Sequence, residues 1–137
     1  MSDSILRKYT GKGTDRIVDA VATEESETTD DLGAFGWLRG VRDRAVMLEL
    51  RKKNGNVLAV GYAMLDPIEF DPSEGITLHS AGRKIRIKGR NLNAAVRPDV
   101  RLFQGITRHK VAWVQEADGP TALQAGKSAT VIEKIEW

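Results

Sequence analysis

The clearest hydrophobic pattern in the chain is the stretch AVMLELRKKNGNVLAVGYAML, Ala45 to Leu65, which reads as two strands around Asn54-Gly55. Asn-Gly is the favoured pair for a type I′ hairpin, because both central residues of that turn need positive φ. A two-residue loop sets Lys53 opposite Asn56. The ladder then pairs Leu50 with Ala59, Leu48 with Gly61 and Val46 with Ala63, large side chains against small ones. The other face of the second strand carries Leu58, Val60, Tyr62 and Met64. Apolar groups on both faces predict a central strand, or one bent through a barrel wall.

Asp66-Pro67 and Asp71-Pro72 interrupt the pattern, and ITLHSAGRKIRIKG resumes it as a second hairpin around Ala81-Gly82. A two-residue loop there pairs Leu78 with Ile85 and Ile76 with Ile87 on one face, so alternation and turn geometry agree. The opposite face carries Thr77, His79, Lys84, Arg86 and Lys88. Two readings of residues 91–108 stay open. One is a short helix from Pro98 through Val100, Leu102 and Phe103, ended by Gly105; the other is a strand at 100–104. HKVAWVQE, residues 109–116, fits a strand, and ADGPTALQAGKS fits a loop with a tight turn. ATVIEKIEW reads as a strand with Val131, Ile135 and Trp137 on one face; Glu133 on that face implies an edge.

Toward the N-terminus the periodicity fades. Ile17, Val18 and Val21 share a face of one short helix, with Thr14 or Asp15 as an N-cap. The run Thr23 to Asp31 is acidic and lacks apolar periodicity, so burial cannot offset the entropy of ordering it. The expected organisation is a flexible acidic tail over 1–32 and a single β-rich domain over 33–137. Gly33 to Gly40 opens that domain, with Phe35, Trp37 and Leu38 as apolar anchors. The expected fold class is mostly β: a small antiparallel barrel or sandwich with one or two short helices.

Composition narrows the chemistry. The chain of 137 residues has no cysteine, which excludes disulfides, zinc–thiolate sites and cysteine nucleophiles. Its first residues hold no apolar run of signal-peptide length, and no stretch approaches the roughly 20 apolar residues of a membrane span. These features predict a soluble cytoplasmic protein. The net charge of +2 conceals a segregation. Residues 1–38 carry four basic and eight acidic side chains, residues 39–110 fifteen and seven, and residues 111–137 two and four. A basic middle between acidic flanks fits an anionic partner, or a tail that folds back on it.

The basic strand is the leading candidate site. Lys84, Arg86 and Lys88 share a face and Arg90 continues it, with same-face neighbours about 6.6 Å apart. Such a ladder can follow a phosphate backbone, although a solvated outer face is the commoner explanation of charged strand faces. Arg51, Lys52 and Lys53 could add to it. Asp66, Glu69, Asp71 and Glu74 crowd the turn LDPIEFDPSEG, but their spacing departs from a calcium loop, and turn chemistry explains them first. His79 and His109 are far apart in sequence and accompany no nucleophile motif. YTGKGTD lacks the spacing of a phosphate loop. Trp37, Trp113 and Trp137 read as anchors of the core, with an exposed Trp137 pointing instead to an interface.

The segment from Ala45 to Asn93 resembles a Sm-like small β-barrel. LELRKKNGNVLAVGYAMLD is similar to the strand-turn-strand of that family's first motif, and IRIKGRNL, Ile85 to Leu92, to its second. The resemblance implies a five-stranded barrel, with Lys88, Gly89 and Asn91 near an RNA-binding loop and copies assembled in a ring. DPIEFDPSEG lacks the Asn of the first motif, and segments 1–44 and 97–137 find no counterpart.

The function expected from these residues is a non-catalytic binding module, for single-stranded nucleic acid through Lys84, Arg86, Lys88 and Arg90. The alternative is a protein-interaction or self-assembly module, in the limit a homo-oligomer, that works through an exposed strand edge or apolar patch. An enzyme built on the acidic turn ranks third. No cofactor or membrane partner is implied.

Overall fold

The structure, a computed structural model, describes residues 28–137. The helix expected around Ile17, Val18 and Val21, the YTGKGTD segment and most of the acidic run lie outside the described residues. The compact unit runs from Asp31 to Trp137.

Among the described residues the fold is mostly β, with two sheets and two short helices. In chain order the strands are β1 (Thr29–Asp31), β2 (Phe35–Leu38), β3 (Met47–Arg51), β4 (Val57–Gly61), β5 (Leu65–Asp71), β6 (Gly75–Ser80), β7 (Arg83–Arg90), β8 (Val111–Gln115) and β9 (Val131–Glu136). The helices are α1 (Leu102–Thr107) and α2 (Gly119–Gln124). One sheet has the order β9-β7-β6-β5 and the other β1-β2-β8-β3-β4. Pairing is antiparallel except between β3 and β8, which run parallel with Glu49 opposite Trp113 and Arg51 opposite Gln115.

The buried side chains of both sheets form one cluster. Leu48 and Leu50 of β3 and Val114 of β8 join Ile76, Leu78, Ile85, Ile87, Ile132 and Ile135 from the other sheet. Leu102 and Ile106 of α1 enter the same cluster. Full burial of each such side chain contributes roughly 1.5–3 kcal/mol. Among the described residues no helix is long and apolar enough to cross a membrane.

The second hairpin has the expected register. Ile76 pairs with Ile87, Leu78 with Ile85 and His79 with Lys84. Ala81 and Gly82 both have positive φ, 51° and 82°, as a type I′ turn requires.

The first hairpin departs from expectation by one residue. Leu50 pairs with Leu58 and Leu48 with Val60, not with Ala59 and Gly61, while Met47 lies opposite Gly61. The loop is the cause. Lys52, not Lys53, bonds to Asn56, and Gly55 N–H donates back to the Lys52 carbonyl. Within the turn only Gly55 has positive φ, at 97°. Asn54 keeps negative φ and uses its side-chain oxygen to accept from Asn56 N–H at 2.9 Å. The turn is therefore a three-residue loop closed by a left-handed glycine. The shift by one residue places Leu58 and Val60 on the core side and leaves Val57 and Ala59 outside. The two apolar faces of β4 implied a central strand or one bent through a barrel wall; among the described residues β4 forms the edge of its sheet. Val46 is exposed and its carbonyl accepts from Tyr62 N–H rather than pairing with Ala63, and Tyr62–Met64 form a 3-10 turn rather than more strand.

Four further expectations change. Asp66-Pro67 does not stop a strand: β5 runs through it, with a register shift between Leu65 and Ile68. The helix after Pro98 starts later, at Leu102, and passes through Gly105 instead of ending there. Gly105 is internal because Trp37 packs on it; a Cβ would lie 2.4 Å from the indole. The strand expected from His109 starts at Val111, because His109 adopts a φ of 58° and stacks on Tyr62 at 4.4 Å. The loop expected over ADGPTALQAGKS contains α2, whose N-cap Asp118 accepts from Thr121 N–H at 2.8 Å.

Candidate functional site

Strand β7 carries the expected basic face between β6 and β9. Its neighbours set the electrostatics. Arg86 reaches Glu74 at 2.9 Å, Lys88 reaches Glu136 at 3.5 Å and Arg90 reaches Glu133 at 3.8 Å. Arg90 also donates to the Ala122 carbonyl. The shift in register between Ile132 and Lys134 sets Glu136 opposite Arg86 and Lys134 opposite Lys88. On the β6 side His79 contacts Glu69 at 3.1 Å. Lys84 is exposed. Together these residues form a face of alternating sign rather than a bare cationic ladder. Each surface pair contributes little to stability, on the order of 0–1 kcal/mol, yet it lowers the positive potential that would attract phosphate.

Arg51, Lys52 and Lys53 sit at and after the end of β3. Arg51 bonds Glu49 at 2.8 Å and lies over the Trp113 ring at 4.7 Å. Lys52 covers the half-exposed Trp137 ring at 4.2 Å. The Trp113 and Trp137 rings, which could stack on bases, are thus covered by cations of the chain itself. Gly36 makes room for Trp113, since a Cβ there would lie 2.2 Å from Nε1.

Gly89 and Asn91 of the segment IRIKGRNL have structural roles in this fold. Gly89 lies against the Val131 carbonyl, where a Cβ would come within 2.0 Å. Asn91, at a φ of 56°, donates its side-chain amide to the Lys127 and Ala129 carbonyls, both at 2.8 Å.

The acidic turn is dispersed by local bonds. Asp71 accepts from Ser73 N–H and Oγ, and these bonds hold its carboxyl below the usual range. Glu69 and Glu74 point to His79 and Arg86. Among the described residues no group of three or more His, Asp or Glu side chains is placed to hold a metal ion.

Two features had no sequence signal. A cavity of about 480 Å³ is lined by Leu32, Lys53, Glu116, Asp118, Thr121 and Val131, among others. The buried Glu116 at its wall accepts from Lys53 N–H at 2.9 Å and from Ile135 N–H at 2.7 Å. Asp118 caps α2, and that bond to Thr121 lowers its pKa. Both carboxylates therefore have structural partners.

The other feature is the edge formed by β4. Three sheet edges carry the usual protection against strand addition. β1 has Asp30 and Asp31, β5 has Asp66, Pro67, Glu69 and Asp71, and β9 has Glu133, Lys134 and Glu136. β4, VLAVG, has neither charge nor proline. Among the described residues its backbone bonds run to β3 alone. Val57 is 54% exposed, and Met47 and Met64 flank Gly61 at 3.7 and 3.8 Å from the site of its missing Cβ. Both faces of Val57–Met64 carry apolar side chains, so alternation does not mark this edge.

No protein-family model, no curated protein and no solved structure matches this chain.

Proposed function

We propose that this protein is a non-catalytic assembly module that associates through strand β4, with a second copy of the chain as its partner. The observation that carries the reading is the uncharged, proline-free edge Val57–Gly61, beside exposed Val46, Met47 and Met64. Charged or covered edges are the rule in monomeric sheets, so an open apolar edge marks an interface.

Self-pairing follows from the side chains. An antiparallel pair centred on Ala59 sets Val57 of each copy against Gly61 of the other. On the exposed face Val57 then meets a glycine and Ala59 meets its own copy, and Met47 and Met64 can close over the seam. Five residues of edge bury less than the roughly 1,200 Å² of a standard interface, so association is expected to depend on concentration.

The test is sedimentation velocity over a dilution series, for the wild type and Val57→Lys. Lysine at an exposed edge position blocks pairing and leaves the core untouched. A wild-type dimer that Val57→Lys converts to monomer, with an unchanged melting transition, supports the reading. A wild type that stays monomeric at every concentration overturns it. Nucleic-acid binding through Lys84, Arg86, Lys88 and Arg90 has weaker support, because three of these four cations already face carboxylates.

A further inference from the structure

A second group of basic residues lies outside β7. The turn Arg39-Gly-Val-Arg-Asp-Arg44, between β2 and β3, holds three arginines and one aspartate. Backbone bonds fasten its two ends to the segment before β8. Leu38 N–H donates to the Lys110 carbonyl at 2.8 Å, and Ala45 N–H to the His109 carbonyl at 2.7 Å. Arg108 and Lys110 therefore belong to the same corner of the fold. Arg42, Arg44, Arg108 and Lys110 lie on these two adjoining segments, with Asp43 as their acidic residue.

The interior of the turn is set by two of these cations. The Lys110 ammonium, nearly buried beside Trp37, donates to the carbonyls of Gly40 and Asp43. The Arg44 guanidinium donates to the carbonyls of Val41 and Asp43. Both cations thus bind the Asp43 carbonyl. Burial lowers the pKa of Lys110, the positive charge of Arg44 lowers it further, and the Asp43 carboxylate opposes them. The side chains of Arg42 and Arg108 are exposed on this scaffold, and Val41 is 89% exposed at the tip.

We infer that this turn, with Arg42 and Arg108 as its outward contacts and Arg44 and Lys110 as its fixed positive base, is a docking surface for the phosphate backbone of a nucleic acid. Guanidinium groups bind phosphate oxygens in bidentate fashion, which suits an arginine-rich turn better than a lysine-rich one. An anionic lipid surface carries the same charge. However, membrane anchoring requires a second, substantially apolar signal, and Val41 is a single small side chain. The rigidity of the turn matters too. The carbonyls of Gly40, Val41 and Asp43 are held by Lys110 and Arg44, which reduces the ordering required when phosphate binds.

The test is fluorescence anisotropy of labelled single-stranded RNA and of a DNA duplex, at low and at physiological salt. It compares the wild type, Arg42→Gln/Arg108→Gln, and Lys84→Gln/Lys88→Gln. Both variants change exposed or half-exposed side chains, and a melting curve checks that each folds. The wild type is expected to bind with a steep salt dependence. The turn variant should lose about tenfold in affinity and about two units of salt slope, one for each phosphate contact. The β7 variant should change by less than about twofold. Absence of wild-type binding at low salt overturns the inference, as does an equal or larger loss in the β7 variant. Sedimentation with anionic vesicles, in the absence of nucleic-acid binding, would replace it with a membrane-surface role. The outcome is independent of assembly through β4, because Val57→Lys leaves the turn intact.

Discussion

The carboxylate of Glu116 accepts the backbone N–H of Ile135 at 2.7 Å, and its other oxygen accepts Lys53 N–H at 2.9 Å. One buried side chain thereby ties the β3–β4 turn of one sheet to strand β9 of the other. Glu116→Ala leaves the buried Ile135 N–H without its partner. We expect a loss of roughly 2–4 kcal/mol, since hydrogen bonds to charged groups contribute about 1.5–3 kcal/mol each and an orphaned donor costs more. Glu116→Gln keeps one acceptor oxygen and should lose about half as much. Urea unfolding of the three proteins checks the order; equal stability of wild type and Glu116→Ala would falsify the role of the bridge.

Tyr62 tests the core at high pH. Its buried hydroxyl donates to the Val111 carbonyl at 2.6 Å, and burial pushes its pKa well above that of a free tyrosine. A folded pKa above the unfolded value means a contribution fully present below about pH 10, the pKa of a free tyrosine, and lost as pH rises towards the folded value. Tyr62→Phe should cost about 1 kcal/mol at neutral pH and flatten the alkaline fall in melting temperature. An identical alkaline limb in the two proteins rejects the assignment.

Acid acts on different groups. Hydrogen bonds from Ser73 lower the pKa of Asp71, those from Thr121 lower Asp118, and that from Lys134 lowers Glu136. Depressed folded pKa values stabilise the protein above the ordinary carboxylate range, and this stabilisation disappears as pH falls through the folded values. Melting temperature should therefore decline with acid in the wild type. The decline should be shallower in Asp71→Asn/Asp118→Asn, as a pH series of melting curves would reveal.

Two glycines give opposite tests of close packing. Gly89→Ala drives a Cβ into the Val131 carbonyl and must part β7 from β9, whereas Gly36→Ala meets only the side chain of Trp113, which can rotate. Thermal melting should show Gly89→Ala as the more damaging change. Tryptophan fluorescence should shift in Gly36→Ala, and the reverse pattern would contradict the packing.

The turns also predict a gain. Ala81 holds a φ of 51° that costs an alanine about 1–2 kcal/mol and costs asparagine less. Ala81→Asn creates the preferred Asn-Gly pair and should stabilise the protein by about 0.5–1 kcal/mol in urea unfolding.

These turns show how much of the fold was legible in sequence. Around Ala81-Gly82 the alternation of Ile76, Leu78, Ile85 and Ile87 and the turn length demanded the same register, so two signals agreed. Around Asn54-Gly55 they did not, because both faces of Val57–Met64 are apolar and either register buries something. The Asn54 side chain decided it, through a bond to Asn56 that no alternation encodes. The basic ladder was visible, but the carboxylates that face it were not. Glu133 and Glu136 reach β7 across an irregularity in β9 that is invisible in the spacing of EKIE. Glu116 was silent for a plainer reason: its partner Lys53 is 63 residues away.

The parallel pairing of β3 with β8 joins distant parts of the chain and is expected to slow its folding. The β6–β7 hairpin closes over a two-residue turn and can zip at once, while β3 must wait for residues 111–115 to arrive from far along the chain. Until they do, β3 and β4 are a lone hairpin with both flanks open, and such a hairpin is marginal in water. The same uncharged edge that supports assembly of finished copies is then a hazard between half-folded ones. Lower temperature or slower synthesis should raise the soluble yield more than any change to the core.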